Sequence, residues 1–188
     1  MFNQENQVKK FLIEWYSANA RSLPWRKKRK NNLLNPYFIF VSEYMLQQTT
    51  VNTVKNKFED FIIKWPNFEK LAQATEPQIL KFWSGLGYYS RARNLLKAVK
   101  IIKKKFNNKL PESYDELINL PGVGDYTAKA ILGIAFNKSV MPLDANVERI
   151  LVRLHAINTP TVKVKTKLRD LADRFKTKKF SSNLIQSF

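Results

Sequence analysis

Apolar side chains recur at helical spacing along almost the whole chain. Residues 4–19 place Val8, Phe11, Leu12, Trp15 and Tyr16 on one face and charge on the other. A polar, basic stretch follows from Arg26 to Asn35. Asn35-Pro36 predicts a helix start, because proline is tolerated in the first turn. The run it opens, YFIFVSEYML, is apolar nearly all round and predicts a buried helix. The next helix carries Val51, Val54, Phe58, Phe61 and Ile62 and stops near Trp65-Pro66. Thr75 with Gln78 has the pattern of a capping box. Residues 89–105 set Ala92, Leu95, Leu96, Val99 and Ile102 on one face, with lysines largely on the others. Ser113 with Glu116 is expected to cap a short helix ending at Leu120. Further helices are predicted at 125–136, 145–156 and 163–176. No run alternates as a strand would, so the fold class is all-α.

Composition adds a partner to this picture. The 188 residues hold 33 Lys and Arg against 15 Asp and Glu, a net charge of +18, while 44% are hydrophobic. A folded core under that charge suits a polyanion, nucleic acid ahead of an anionic membrane surface, although a lysine-rich composition alone accounts for part of the excess. The chain has no cysteine, which excludes disulfides, thiol nucleophiles, Cys-ligated zinc and iron–sulfur clusters within it. With one histidine, His155, there is little basis for a His-based metal site or a Ser-His-Asp triad. The opening MFNQENQVKKFLIEWY is too polar for a signal peptide, and a cytoplasmic protein is expected.

Five glycines are present, and four fall in two pairs, Gly85-Leu86-Gly87 and Gly122-Val123-Gly124, both between predicted helices. Leu120-Pro121-Gly122-Val123-Gly124-Asp125 has the form of a glycine hairpin whose open amides, at a helix N-terminus, bind a phosphate without reading bases. The same residues also suit an ordinary helix–helix turn. Glu43 is the only acidic residue between Glu14 and Glu59 and lies within the apolar run. Burial there raises a carboxyl pKa and suits a general acid, or equally a structural glutamate bonded to a neighbouring helix. Asp144 precedes the helix predicted from Ala145 and reads first as its N-cap, a role compatible with offering its other oxygen to a ligand. Gln48, after the Glu43 helix, and Tyr88, after the first glycine pair, are either wedges for a base stack or ordinary cap and core groups.

Five motifs then occur in order: LPWR (23–26), SEYMLQQTT (42–50), WSGLGYYSRARNL (83–95), LPGVGDYTAKAIL (120–132) and LDANVER (143–149). Together they resemble the adenine DNA glycosylases of MutY type, within the helix-hairpin-helix superfamily that also holds endonuclease III. The resemblance implies a six-helix barrel over 21–135, containing the hairpin at 120–125. A second, incomplete helical lobe would come from 1–20 and 136–188, with DNA in the groove between the lobes. It implies excision of adenine opposite 8-oxoguanine or guanine from an extruded nucleotide. Glu43 would protonate the base and Asp144 would stabilise the sugar cation, with Tyr126 and Asn146 assisting. Arg26 would meet the flipped adenine, Gln48 and Tyr88 would fill the stack, and Arg91 with Gly122, Val123 and Gly124 would hold the strand. Endonuclease III-like enzymes carry a Schiff-base lysine where this chain has Tyr126, so the resemblance implies a glycosylase without lyase action. Lys129, one turn on, leaves a minor lyase activity open.

Members of that family continue into a four-cysteine loop holding a 4Fe–4S cluster and then a domain that inspects 8-oxoguanine. This chain ends at Phe188, before both. The expectation is a truncated or split product, or a chain that lost these parts, with a separate C-terminal polypeptide as a candidate partner and uncovered apolar surface over 163–188. The alternatives are a lyase-competent glycosylase and an inactive DNA-binding remnant.

Overall fold

Capping side chains set five of the helix starts. In a computed structural model that describes residues 2–28 and 33–188, α1 (Phe2–Asn19) is followed by a 3-10 turn at Pro24–Arg26 and by α2 (Pro36–Leu46), α3 (Val51–Lys64), α4 (Phe68–Ala72), α5 (Glu76–Trp83) and α6 (Ser90–Phe106). Then come α7 (Tyr114–Ile118), α8 (Asp125–Phe136), α9 (Ala145–Leu154), a second 3-10 turn at Thr161–Val164, α10 (Lys165–Arg174) and α11 (Ser181–Ser187). The middle of the basic stretch, residues 29–32, lies outside the described residues. Among the described residues there is no strand, only an isolated bridge between Lys28 and Leu34.

Asn35 Oδ1 accepts from the Tyr37 amide at 3.0 Å and starts α2. The capping box of α5 forms, with the Thr75 amide donating to Gln78 Oε1 at 2.9 Å and the Gln78 amide to Thr75 Oγ1 at 3.4 Å. The expected Ser113 cap does not: α7 forms without a side-chain cap bond, held by buried Leu117. Helix α4 has no counterpart in the periodicity, being too short to show one. It starts because Asn67 Oδ1 accepts from the Lys70 amide at 2.9 Å, and it buries Phe68 and Leu71.

The chain divides into two compact units, 22–124 and 1–21 with 125–188. The first holds α2 to α7 around Phe40, Tyr44, Phe58, Phe61, Leu71, Trp83, Leu95 and Ile102. Edge-on ring pairs lock its middle: Tyr37 on Phe68 at 4.9 Å, Trp25 on Phe58 at 5.4 Å, Phe61 on Phe82 at 5.3 Å. The second unit packs Met141, Val147, Leu151, Leu168, Leu171, Phe175 and Ile185 together. Helix α1 joins it along α11, and Arg174 Nη1 reaches the buried Glu5 at 3.4 Å.

The division falls at 124/125, not at 135/136, because α8 packs along α11. At Gly133 the approach is so close that an added Cβ would overlap Ile185 Cδ1. The uncovered apolar surface expected over 163–188 is largely absent. Leu168, Leu171, Phe175, Leu184 and Ile185 are buried, Phe188 stacks edge-on against Phe175 at 5.4 Å, and Phe180 remains exposed.

Candidate functional site

Within the first unit the hairpin is built onto the helix that carries Glu43. Gly122 has φ +82°, and a Cβ there would sit 2.9 Å from Asn94 Cβ and 3.0 Å from Tyr44 Cε1, so only glycine fits without strain. The Tyr44 hydroxyl donates to the Pro121 carbonyl, and Gln47 Nε2 donates to the Gly122 carbonyl at 3.3 Å. Burial pushes the Tyr44 phenol well above the ordinary tyrosine range, which keeps it a neutral donor. Glu43 stands one residue before Tyr44. It is half-buried, between Ser42 and Tyr44, which are both buried. Tyr44 had no signal of its own in the sequence, because an apolar run hides a tyrosine whose hydroxyl has a specific partner.

Gly124 differs from Gly122. Both are exposed, but at Gly124 nothing lies within 4 Å of an added Cβ, so a backbone or phosphate can come close there. Val123 does not present itself in the same way. Its side chain is buried and its amide already donates to the Leu120 carbonyl at 3.0 Å, so it anchors the turn from inside. Arg26 ends the 3-10 turn, half-buried, beside buried Trp25.

Gln48 and Tyr88 are both exposed, and both have left-handed backbone, with φ of 55° and 45°. Such strain in residues other than glycine costs about 1–3 kcal/mol each and persists only where the surroundings impose it. Arg91 was expected at the DNA surface and is instead buried, 6% exposed. Its guanidinium donates to main-chain carbonyls on either side of it, and burial draws its pKa below the ordinary arginine value, with the nearby Tyr88 working the other way.

In the second unit Asp144 is the N-cap of α9. Its Oδ1 accepts from the amides of Asn146 at 3.0 Å and Val147 at 2.8 Å. Its Oδ2 has one long contact, 3.5 Å to Asn146 Nδ2. The cap therefore uses one oxygen and leaves the other out of the helix-start bonds. Asn146 is itself steadied by Arg149 Nη2 at 2.8 Å. Tyr126 lies in the first turn of α8, 37% exposed. Lys129 Nζ is held in an ion pair by Asp125, at 2.9 Å from Oδ1. Glu43 thus belongs to one unit and Asp144 to the other.

An all-helical chain with a glycine hairpin, tied to the helix of a half-buried glutamate, has the build of a helix-hairpin-helix repair protein. The chain belongs to the HhH-GPD superfamily of base excision DNA repair proteins, whose family model matches residues 41–174. It is 42% identical over 179 residues to an adenine DNA glycosylase of Buchnera aphidicola subsp. Baizongia pistaciae, covering 93% of this chain and 50% of that one. A human adenine DNA glycosylase is 40% identical over 150 residues, covering 78% of this chain and 28% of that one. The chain thus spans about half, or less, of the length of these curated relatives. Among solved structures, a thermostable thymine-DNA glycosylase superposes with TM-score 0.81 at 26% identity, over 98% of this chain and 85% of that one. An endonuclease III–DNA complex shares the fold, with TM-score 0.73 at 22% identity, over 97% of this chain and 83% of that one. No helix among the described residues is long and apolar enough to cross a membrane. The residues present do not fit an iron–sulfur cluster: there is no cysteine, and the described residues hold no group of three or more potential metal ligands.

Proposed function

We propose that this chain excises adenine from duplex DNA, opposite 8-oxoguanine or guanine, by cleaving the N-glycosidic bond without cutting the strand. The observation that carries the reading is the union of hairpin and acid. Tyr44 and Gln47, on either side of one helical turn after Glu43, bond the hairpin carbonyls. A phosphate held at the open Gly124 side of that hairpin is thereby referred to the Glu43 helix.

In the proposed reaction Glu43, as its acid, gives a proton to adenine N7. The C1′–N9 bond breaks, and its electron pair leaves with the base. Oδ2 of Asp144 stabilises the oxocarbenium-like sugar while α9 holds its other oxygen. Water adds to C1′ and loses its proton to a carboxylate, leaving free adenine and an abasic site. Arg26 would face the flipped base, with Tyr126 and Asn146 assisting the reaction. Absence of strand cleavage is supported by Tyr126, whose phenol forms no imine, and by the pairing of Lys129 with Asp125. The reaction needs no cofactor in this chain and takes place on DNA in the cytoplasm, at the nucleoid.

The test is release of adenine from an A:8-oxoguanine duplex at enzyme excess, with strand cuts scored before and after alkali. Wild-type protein is expected to give alkali-dependent cuts only. Glu43→Gln is expected to bind the duplex and release no adenine, and release at the wild-type rate would refute the assignment of the acid. Cuts without alkali, with a borohydride-trapped adduct, would instead establish lyase action. Failure of the wild-type chain to release adenine would leave a DNA-binding remnant.

A further inference from the structure

We propose that Arg91 is a positioning residue that joins the loops carrying Gln48 and Tyr88 into one rigid platform for prising a base out of its stack. The proposal rests on the reading of those two side chains as the groups that enter the stack.

The hydrogen bonds of this cation run to both loops. Nη1 faces the end of α2, donating to the carbonyls of Tyr44 at 3.1 Å, Met45 at 2.9 Å and Gln47. The last carbonyls of a helix lack partners within it, and a cation there also suits the helix dipole. Nη2 faces the other loop, donating to the carbonyls of Leu86 at 2.7 Å and Gly87 at 3.1 Å. It also donates to Thr49 Oγ1 at 2.9 Å, and Thr49 in turn donates to the Leu86 carbonyl at 3.2 Å. The guanidinium lies over the rings of Trp83, at 5.6 Å, and Tyr88, at 5.7 Å. Trp83 Nε1 closes the arrangement on the Gly87 carbonyl at 3.1 Å.

One planar fork therefore fastens both loops at their feet, while both exposed tips, Gln48 and Tyr88, stand on left-handed backbone. Buried and so engaged, Arg91 is not placed to bond a phosphate directly. What it supplies is stiffness. A wedge entering a base stack works against stacking energy, and a loose loop yields where a braced one does not. The action is on extrusion, ahead of any proton transfer.

The experiment uses the full chain with Arg91→Lys and Thr49→Val. Lysine keeps the charge but lacks the fork, and valine removes the hydroxyl bridge while leaving the arginine in place. A duplex carries 2-aminopurine at the target adenine, a base that brightens when it leaves the stack without needing to be excised. Wild-type protein at saturation is expected to brighten it. Both variants are expected to bind within about threefold of wild type, since phosphate contacts dominate affinity, and to lose most of the brightening. In excision, both are expected to slow about tenfold on a mispaired adenine and much less on an adenine in a single strand, which needs little extrusion. Retained brightening, or equal slowing on both substrates, would overturn the proposal. If Arg91→Lys does not fold, Thr49→Val decides alone. Should wild-type protein release no adenine yet brighten the probe, the adenine reading falls while the comparison of brightening still judges Arg91.

Discussion

At the scale of single residues, two groups combine a structural duty with a chemical one, and substitutions separate the two. Asp144 caps α9 through Oδ1, at 3.0 Å and 2.8 Å from two amides. Asparagine keeps an oxygen for that cap but carries no charge. Asp144→Asn is therefore expected to retain the melting temperature and lose excision, whereas Asp144→Ala loses both, with about 1 kcal/mol of stability gone. A melt and a single-turnover assay on the two variants check this. Tyr37 and Tyr44 carry a different load. Both are buried, with hydroxyls donating to the carbonyls of Trp65 and Pro121, and burial raises both phenols above the ordinary range. A raised pKa means that above pH ~10 the unfolded chain loses protons that the folded chain keeps. Stability is then complete below that pH and falls above it, by about 1.4 kcal/mol per pH unit for each tyrosine. Urea melts between pH 9.5 and 11 are expected to show that decline, with Tyr44→Phe removing about half of the slope.

At the scale of elements, the hairpin carries a prediction that sets its two glycines apart. Gly122 has φ +82° and crowds Asn94 and Tyr44, whereas Gly124 faces open space. Gly122→Ala is expected to cost about 2 kcal/mol or more and to weaken duplex binding through misfolding of the turn. Gly124→Ala is expected to keep the melting temperature and still weaken binding, because its methyl stands where a phosphate approaches. Thermal melts beside binding curves distinguish them, and unaltered binding in Gly124→Ala would remove the hairpin from the interface. Much of this element level was legible in the chain. The capping box at Thr75, the start at Pro36 and the span 125–136 follow from local chemistry, and each forms as read. Glu43 and Asp144 stood out because a lone acid in an apolar run and an acid before a helix are local patterns. Arg91 was misplaced because nothing local tells a buried arginine from a surface one. Its acceptors lie up to 47 positions away, at Tyr44. Helix α4 was missed because five residues hold barely one turn, and the division at 124/125 because the Gly133–Ile185 approach spans 52 positions.

At the scale of the whole molecule, charge is the property that no single site explains. Residues 22–124 hold 18 basic and 8 acidic side chains, a net +10, and the remainder hold 15 and 7, a net +8. The excess is therefore spread over both units. Several acids are already committed to cations, as in Glu76 with Arg93 at 2.7 Å and Asp173 with Lys176 at 2.8 Å. Exposed lysines at 97, 100, 103, 104 and 105 along α6 form no ion pair with the described residues. Surface pairs of this kind contribute little to stability, and unpaired like charges oppose the folded state through repulsion. Salt then acts in opposite directions on folding and on binding. Raising it screens the self-repulsion, so the melting temperature is expected to hold or rise. The same change removes the gain from releasing counterions at phosphates, so duplex affinity is expected to fall about a thousandfold between 50 and 200 mM salt, if six or more phosphates are engaged. Measuring both over one salt series decides whether the charge serves a polyanion. A slope of log affinity against log salt near zero would leave the lysines as a solvated surface only.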